Sequence, residues 1–172
     1  MRRLRGWMFL AGIGIVLTPF LAVQAEGGIR DRLFLTQVMS NGHAEVEYSK
    51  LAEKQGGSLK VKTFAARLML EHKKLGEKLE EAARHMNIKV SKELSRGQQG
   101  AVDGLSKLHG AEFDRNYLKL IIEDHERGVK AFETEAEKGN SEELKKLCSD
   151  ALPRLQRHLK RARELAEEAN RK

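Results

Sequence analysis

The chain has 172 residues, 40% of them hydrophobic, 33% charged and 5% aromatic, with a formal net charge of +7. That length holds one domain with a proper core, and sparse aromatics with mixed charge suit an aliphatic helical interior under a salt-laced surface. Nucleic-acid binding and serine hydrolysis find no support: no basic run is interleaved with aromatic residues, no glycine-rich phosphate loop precedes a helix, and no serine sits in a nucleophile turn.

The N-terminal segment differs from everything after it. Arg2, Arg3 and Arg5 form a basic start, Trp7 to Leu17 an apolar run and Val23-Gln24-Ala25 a small-residue exit, the pattern of an export signal cleaved after Ala25. The apolar stretch, broken by Gly12, Gly14 and Pro19, is marginal against the roughly 20 residues of a spanning helix, so an uncleaved anchor is the alternative. Residues 1–25 are therefore read as a signal peptide and 26–172 as the mature domain of an exported bacterial protein in the periplasm. Removing Arg2, Arg3 and Arg5 takes the formal charge from +7 to +4. Most remaining charge alternates in sign along helix faces. The basic C-terminal end either complements its own helix dipole or favours peripheral contact with an anionic membrane. Cys148 stands alone, which excludes an intramolecular disulfide and suggests a small buried apolar group.

The first predicted helix runs from about Ile29 to Gln55 and stops at Gly56-Gly57. Its stripe of Phe34, Val38, Asn41, Glu45, Tyr48 and Ala52 turns Glu45 inward and leaves His43 out of phase, on the surface. Ser58 caps a second helix reaching about Asn87, whose core face reads Val61, Ala65, Leu68, His72, Leu75, Leu79, Ala82 and Met86. A glycine-containing connection follows, with a short helix near Gln98 to Leu108. A third long helix spans about Ala111 to Lys138, with Leu118, Ile121, His125, Val129, Phe132 and Ala136 on its stripe. Ser141 opens the fourth, striped by Leu144, Leu147, Ala151, Leu155, His158, Ala162, Leu165 and Ala169, and Pro153 predicts a kink within it. Short turns within each hairpin predict an all-α, antiparallel four-helix bundle with a short extra helix between the hairpins.

Three helices thus deliver His72, His125 and His158 to one interior, and the remaining long helix delivers Glu45. Glu71 and Asp124 directly precede two of these histidines. At about 100° per residue an adjacent acid cannot share its neighbour's position, so each either flanks the site as a further ligand or accepts a proton from another helix's imidazole. Glu45, His72, His125 and His158, with Glu71 and Asp124 beside them, form a nitrogen and oxygen set suited to zinc, or to copper or iron where a position stays open. The paired Glu-x-x-His motifs of a dinuclear iron centre are absent in their usual form. The competing reading is a non-catalytic envelope protein that binds a partner through its outer faces. Its core histidines would then be hydrogen-bonded to Glu45, Asp124 or Tyr48 and hold no ion.

The segments Gly42 to Glu47, Lys50-Leu51-Ala52, Val61 to Ala65, Glu71-His72, Ser106-Lys107-Leu108, Gly110 to Arg115, Asp124-His125-Glu126, Leu152 to Leu155 and His158-Leu159 form a specific set. Together they resemble the exported bacterial family called domain of unknown function 4142. The resemblance covers essentially the whole mature chain. It implies a ferritin-like helical bundle behind a signal peptide, with acid–histidine pairs as its most recognisable polar positions, and it supplies no reaction. His43 stands where members tend to carry an apolar residue, and Glu71 replaces a more usual aspartate.

Overall fold

The computed structural model describes residues 20–91 and 93–171, with side chains from residue 28 onward; residues 1–19, which carry most of the predicted export signal, lie outside it. Five helices follow in order: α1 (Phe20–Gln55), α2 (Leu59–His85), α3 (Arg96–Leu105), α4 (Gly110–Lys138) and α5 (Glu142–Asn170). The described residues form no strands, and no helix among them is long and apolar enough to cross a membrane. The first helix is longer than its stripe predicts. It is already helical at Phe20, where the described residues begin, and continues through Gly27-Gly28. Glycine weakens a helix interior without forbidding it.

The long helices pack most closely as α1 on α2 and α4 on α5. Their buried residues fall into two apolar clusters. One joins the first half of α1 (Phe34, Leu35, Val38, Met39) to the second half of α2 (Leu75, Leu79, Ala82), to Phe132 of α4 and to the first half of α5 (Leu144, Cys148, Leu155). The other joins the second half of α1 (Ala44, Tyr48, Ala52) to the first half of α2 (Val61, Phe64, Leu68), the first half of α4 (Phe113, Tyr117, Ile121) and the end of α5 (Ala162, Leu165). His72, His125 and His158, all buried, fall in sequence between these two sets on their respective helices, and the buried Glu45 of α1 follows directly on Ala44, the first α1 residue of the second set.

Local chemistry fixes the ends. Ser141 accepts a hydrogen bond from the Leu144 amide at 3.2 Å, as an N-cap should. Ser58 occupies the corresponding position on α2 but its hydroxyl makes no cap bond. The buried Asp114 carboxylate of α4 accepts from the Gly57 and Ser58 amides instead, at 3.0 and 2.8 Å, which ties the two helix starts together. The loops meet so closely there that a Cβ on Gly57 would sit 2.7 Å from the Gly110 backbone, and Gly110 itself has φ +60. α2 ends on Asn87, at φ 54, with the Ile88 amide returning to Ala83 at 2.8 Å.

The connection from α2 to α4 crosses from one cluster to the other: Ile88 packs in the first, Leu94, Leu105 and Leu108 in the second. It runs along α1. Ser95 and Gln98 close a reciprocal capping box at the start of α3. The Gln98 side chain also accepts from Ser40 at 2.9 Å and donates to Asn41 at 3.0 Å. α5 continues unbroken through Pro153. Its core face is led by Cys148, fully buried, while Leu147 is only half-buried. The stripe is therefore one residue out of the predicted phase there. Burial pushes the Cys148 thiol up to about 12, with Glu135 and Asp31 adding to the effect, which favours the thiol over the thiolate.

Candidate metal centre

The three stripe histidines meet. One nitrogen from each of His72, His125 and His158 lies within 4.8 Å of the others. The ring centroids form a nearly equilateral triangle, at 5.3 Å for His72–His125, 5.6 Å for His72–His158 and 5.4 Å for His125–His158. Glu45 enters from α1, with its Oε2 at 3.4 Å from both His72 Nε2 and His125 Nδ1.

The proton positions follow from the contacts. His125 Nδ1 is 3.0 Å from the Ile121 carbonyl, one turn back on its own helix, and can only donate to it. His158 Nε2 is 2.9 Å from Glu71 Oε2 and donates to that carboxylate. Each neutral imidazole then has one bare nitrogen left, and these two, His125 Nε2 and His158 Nδ1, face each other at 3.3 Å. Neither has a proton to offer. His72 Nε2 and Glu45 Oε2 are likewise buried with no hydrogen-bond partner. Unpaired polar atoms in a core cost about 1–3 kcal/mol each, so the arrangement is incomplete as a set of hydrogen bonds.

Burial holds the histidines neutral. It takes His125 down to about 3, the charge of His158 adding to the effect, and it lowers His72 well below the usual value, with His125 and His158 contributing. His158 is also lowered by burial, against the opposing pull of Glu71. Glu45 is raised well above the usual carboxylate range by burial and then by the charge of Asp124. Burial works to raise Glu71 too, but hydrogen bonds from Arg67 and His158 outweigh it and keep the group below its ordinary value. Glu71 is thus an anion fixed between Arg67, at 2.8 Å, and His158, with Arg154 at 3.7 Å.

Of the six residues singled out in the sequence, four converge and a fifth supports them. Glu71 accepts a hydrogen bond from an imidazole of another helix, the second of its two predicted roles. Asp124 is turned to Arg127, one turn on along α4, and is near enough to Glu45 only to act on its charge. Beside the layer lies a cavity of about 750 Å³ lined mainly by three of the four long helices, α1, α2 and α4, with Leu94, Gln99 and Val102 from the α3 region and Leu155 from α5. His43, predicted on the surface, is half-buried and lines it, as do Gly42, Gly76 and Gly128.

Sequence reasoning missed three further buried acids, Asp31, Asp114 and Glu135. The signal was available. Each falls on the extrapolated stripe of its helix: Asp31 three before Phe34, Asp114 four before Leu118, Glu135 three after Phe132.

Fold and site together define a class: a helical bundle with a three-histidine layer in its core. The family follows from the sequence, since residues 19–165 match the model described as domain of unknown function (DUF4142), and the chain belongs to that family. Its backbone is similar to that of a solved structure described as a DUF305 fragment from Deinococcus radiodurans. The two have a TM-score of 0.70 and 14% identity over 83% of this chain and 97% of that one. At that identity the likeness concerns the fold. No curated protein matches the chain.

Proposed function

We propose that this is an exported, periplasmic bundle of antiparallel, ferritin-like topology that binds a divalent metal ion through His72, His125 and His158. The topology rests on the two apolar clusters, since α1 and α5 run from the first to the second while α2 and α4 run back. The export reading rests on the sequence of residues 1–25, and residues 26–172 form the one domain.

The observation that carries the metal reading is the pair of bare nitrogens 3.3 Å apart. Lone pairs at that distance repel unless a cation lies between them. In a tetrahedral zinc site with Zn–N bonds of about 2.0–2.1 Å, adjacent nitrogens stand roughly 3.3–3.4 Å apart. His72 supplies a third nitrogen. Glu71 orients His158 through its far nitrogen, and the Ile121 carbonyl orients His125, the outer contacts that imidazole ligands usually have. Glu45 faces the opposite nitrogen of His125, so it stands beside the three-nitrogen face and is available to a fourth ligand or a water. Zinc or copper suits three imidazoles best, and iron would need more oxygen than the layer offers.

The alternative envelope-protein reading is favoured by one contact. A protonated His158 would donate to both Glu71 and His125 and remove the lone-pair conflict without metal. It would leave His72 and Glu45 unpartnered, and burial opposes the charge it requires. Elemental analysis separates the two on untagged protein reconstituted with zinc, copper or iron and dialysed. One ion per chain is expected, and none in His125→Leu. A wild-type chain with no metal, or a variant that retains its ion, would overturn the metal reading.

A further inference from the structure

The cavity beside the layer is far larger than an ion needs. At about 750 Å³ it is in the range of pockets for organic molecules, and much of its wall is apolar: Val38, Met39, Leu75, Leu79, Val129 and Phe132 among others. The lining also carries Glu45 and His72, whose Oε2 and Nε2 are buried 3.4 Å apart and make no hydrogen bond.

Three helix-interior glycines keep this volume open. Gly42, Gly76 and Gly128 come from three different helices, and all line the cavity. A Cβ on Gly76 or Gly128 would meet nothing within 4 Å, and one on Gly42 only His72 Nδ1 at 3.9 Å. Space therefore does not demand glycine at these positions, and each glycine costs its helix about 1 kcal/mol relative to alanine. A core selected for stability alone would fill the space and gain helix propensity at once.

Charge narrows the occupant. Glu47, Glu77, Glu80 and Asp124 stand on the lining, and Lys73 is its one lysine or arginine. An anionic head group would face carboxylates there. We propose that the cavity binds a small, uncharged, mainly apolar organic molecule whose one polar group is directed at Glu45 and His72. The proposal does not depend on the metal reading, because the cavity and its unpartnered atoms exist in the metal-free chain.

The test uses 4-propylphenol as the neutral probe and 4-propylbenzoate as its anionic counterpart, titrated into metal-free protein and followed by nuclear magnetic resonance. Saturable binding of one propylphenol per chain is expected, with contacts from its propyl group to Leu79 and Val129 methyls and at least tenfold weaker binding of the benzoate. Gly76→Leu and Gly128→Leu should each weaken the phenol at least tenfold while melting no lower than the parent. Contacts observed on the unaltered chain decide the matter even if a variant does not fold. Absence of saturable binding, contacts elsewhere on the molecule, equal affinity for the anion, or undiminished binding in both variants would each overturn the proposal. Loss of zinc binding in the parent with phenol binding intact would sink the metal reading alone.

Discussion

The histidine layer and the Asp31–Glu135 pair are both polar clusters in an aliphatic interior, and they meet burial in opposite ways. In the pair, one shared proton is enough. Glu135 is pushed up to about 7 by burial first and then by its hydrogen bond to Asp31 and the charge of that carboxyl, with Arg30 acting against the shift. A neutral Glu135 can therefore donate to the Asp31 carboxyl, which also accepts from the Asn140 amide at 3.3 Å, while Glu135 Oε1 is buried without a hydrogen-bond partner. The clasp joins the described start of α1 to the end of α4. Gly139 makes room for it, because a Cβ there would sit 2.6 Å from the Glu135 carbonyl and 2.9 Å from its Oε1. In the histidine layer, protons have already been committed outward, to Ile121 and Glu71, so the inward-facing nitrogens have none to share. A proton joins the two acids of one cluster, whereas the other has the donor set for a cation.

The sharpest break between the two comes from Glu71, which touches no inward-facing nitrogen. Glu71→Gln keeps the shape of the side chain but removes the charge that holds His158, and the metal reading expects zinc affinity to fall about 10–100-fold. Glu135→Gln should leave zinc affinity unchanged. Competition with a chromophoric chelator measures both. Equal affinity in parent and Glu71→Gln would show that His158 needs no such orientation.

Protons separate the clusters next. Glu135 titrates near 7 folded against 4.5 unfolded, so the folded chain holds more protons between those values and its contribution to stability is lost as pH rises across that window. His125 titrates near 3 folded against 6.5 unfolded, so its contribution is complete above 6.5 and lost as pH falls below it. Glu45, raised by burial, has the same sign as Glu135. In metal-free protein, urea titrations from pH 4.5 to 7 should show Glu135→Gln gaining stability with pH relative to the parent. His125→Leu should show a smaller fall of stability on acidification, with His72 and His158, which are lowered too, supplying the remainder. Parallel curves for all three proteins would remove both assignments.

A smaller contrast concerns the helix starts. Ser141→Ala removes an observed cap bond and should cost about 1 kcal/mol. Ser58→Ala removes none, because Asp114 serves that helix start, and should stay within about 0.5 kcal/mol. Thermal melts of the two variants decide whether Asp114 has taken over the role.

The meeting of His72, His125 and His158 was legible because a helical stripe carries its phase over many turns, and each histidine sits in the middle of one. Cys148 shows the limit of that argument, since a stripe slips by one residue without changing its apparent period. The partner of Asp124 was not legible. A carboxylate at the edge of a stripe can turn along its own helix or across to another, and Arg127 three residues on decides it. The crossing of the 88–110 connection was also hidden, because its course depends on polar contacts such as Gln98 with Ser40 and Asn41 that join distant parts of the chain. The cavity left its mark only as glycines inside helices, each unremarkable by itself.

The central claim, that the layer is built around a cation, is tested most directly by the melting temperature of the metal-free chain with and without zinc. At a free zinc concentration about 100 times the dissociation constant, binding to the folded state alone stabilises by about 2.7 kcal/mol. For a chain of this size that is a rise of roughly 5–10 °C. The account predicts such a rise, reversed by chelator and absent in His125→Leu. Identical melting with zinc, with chelator and in either protein would contradict it.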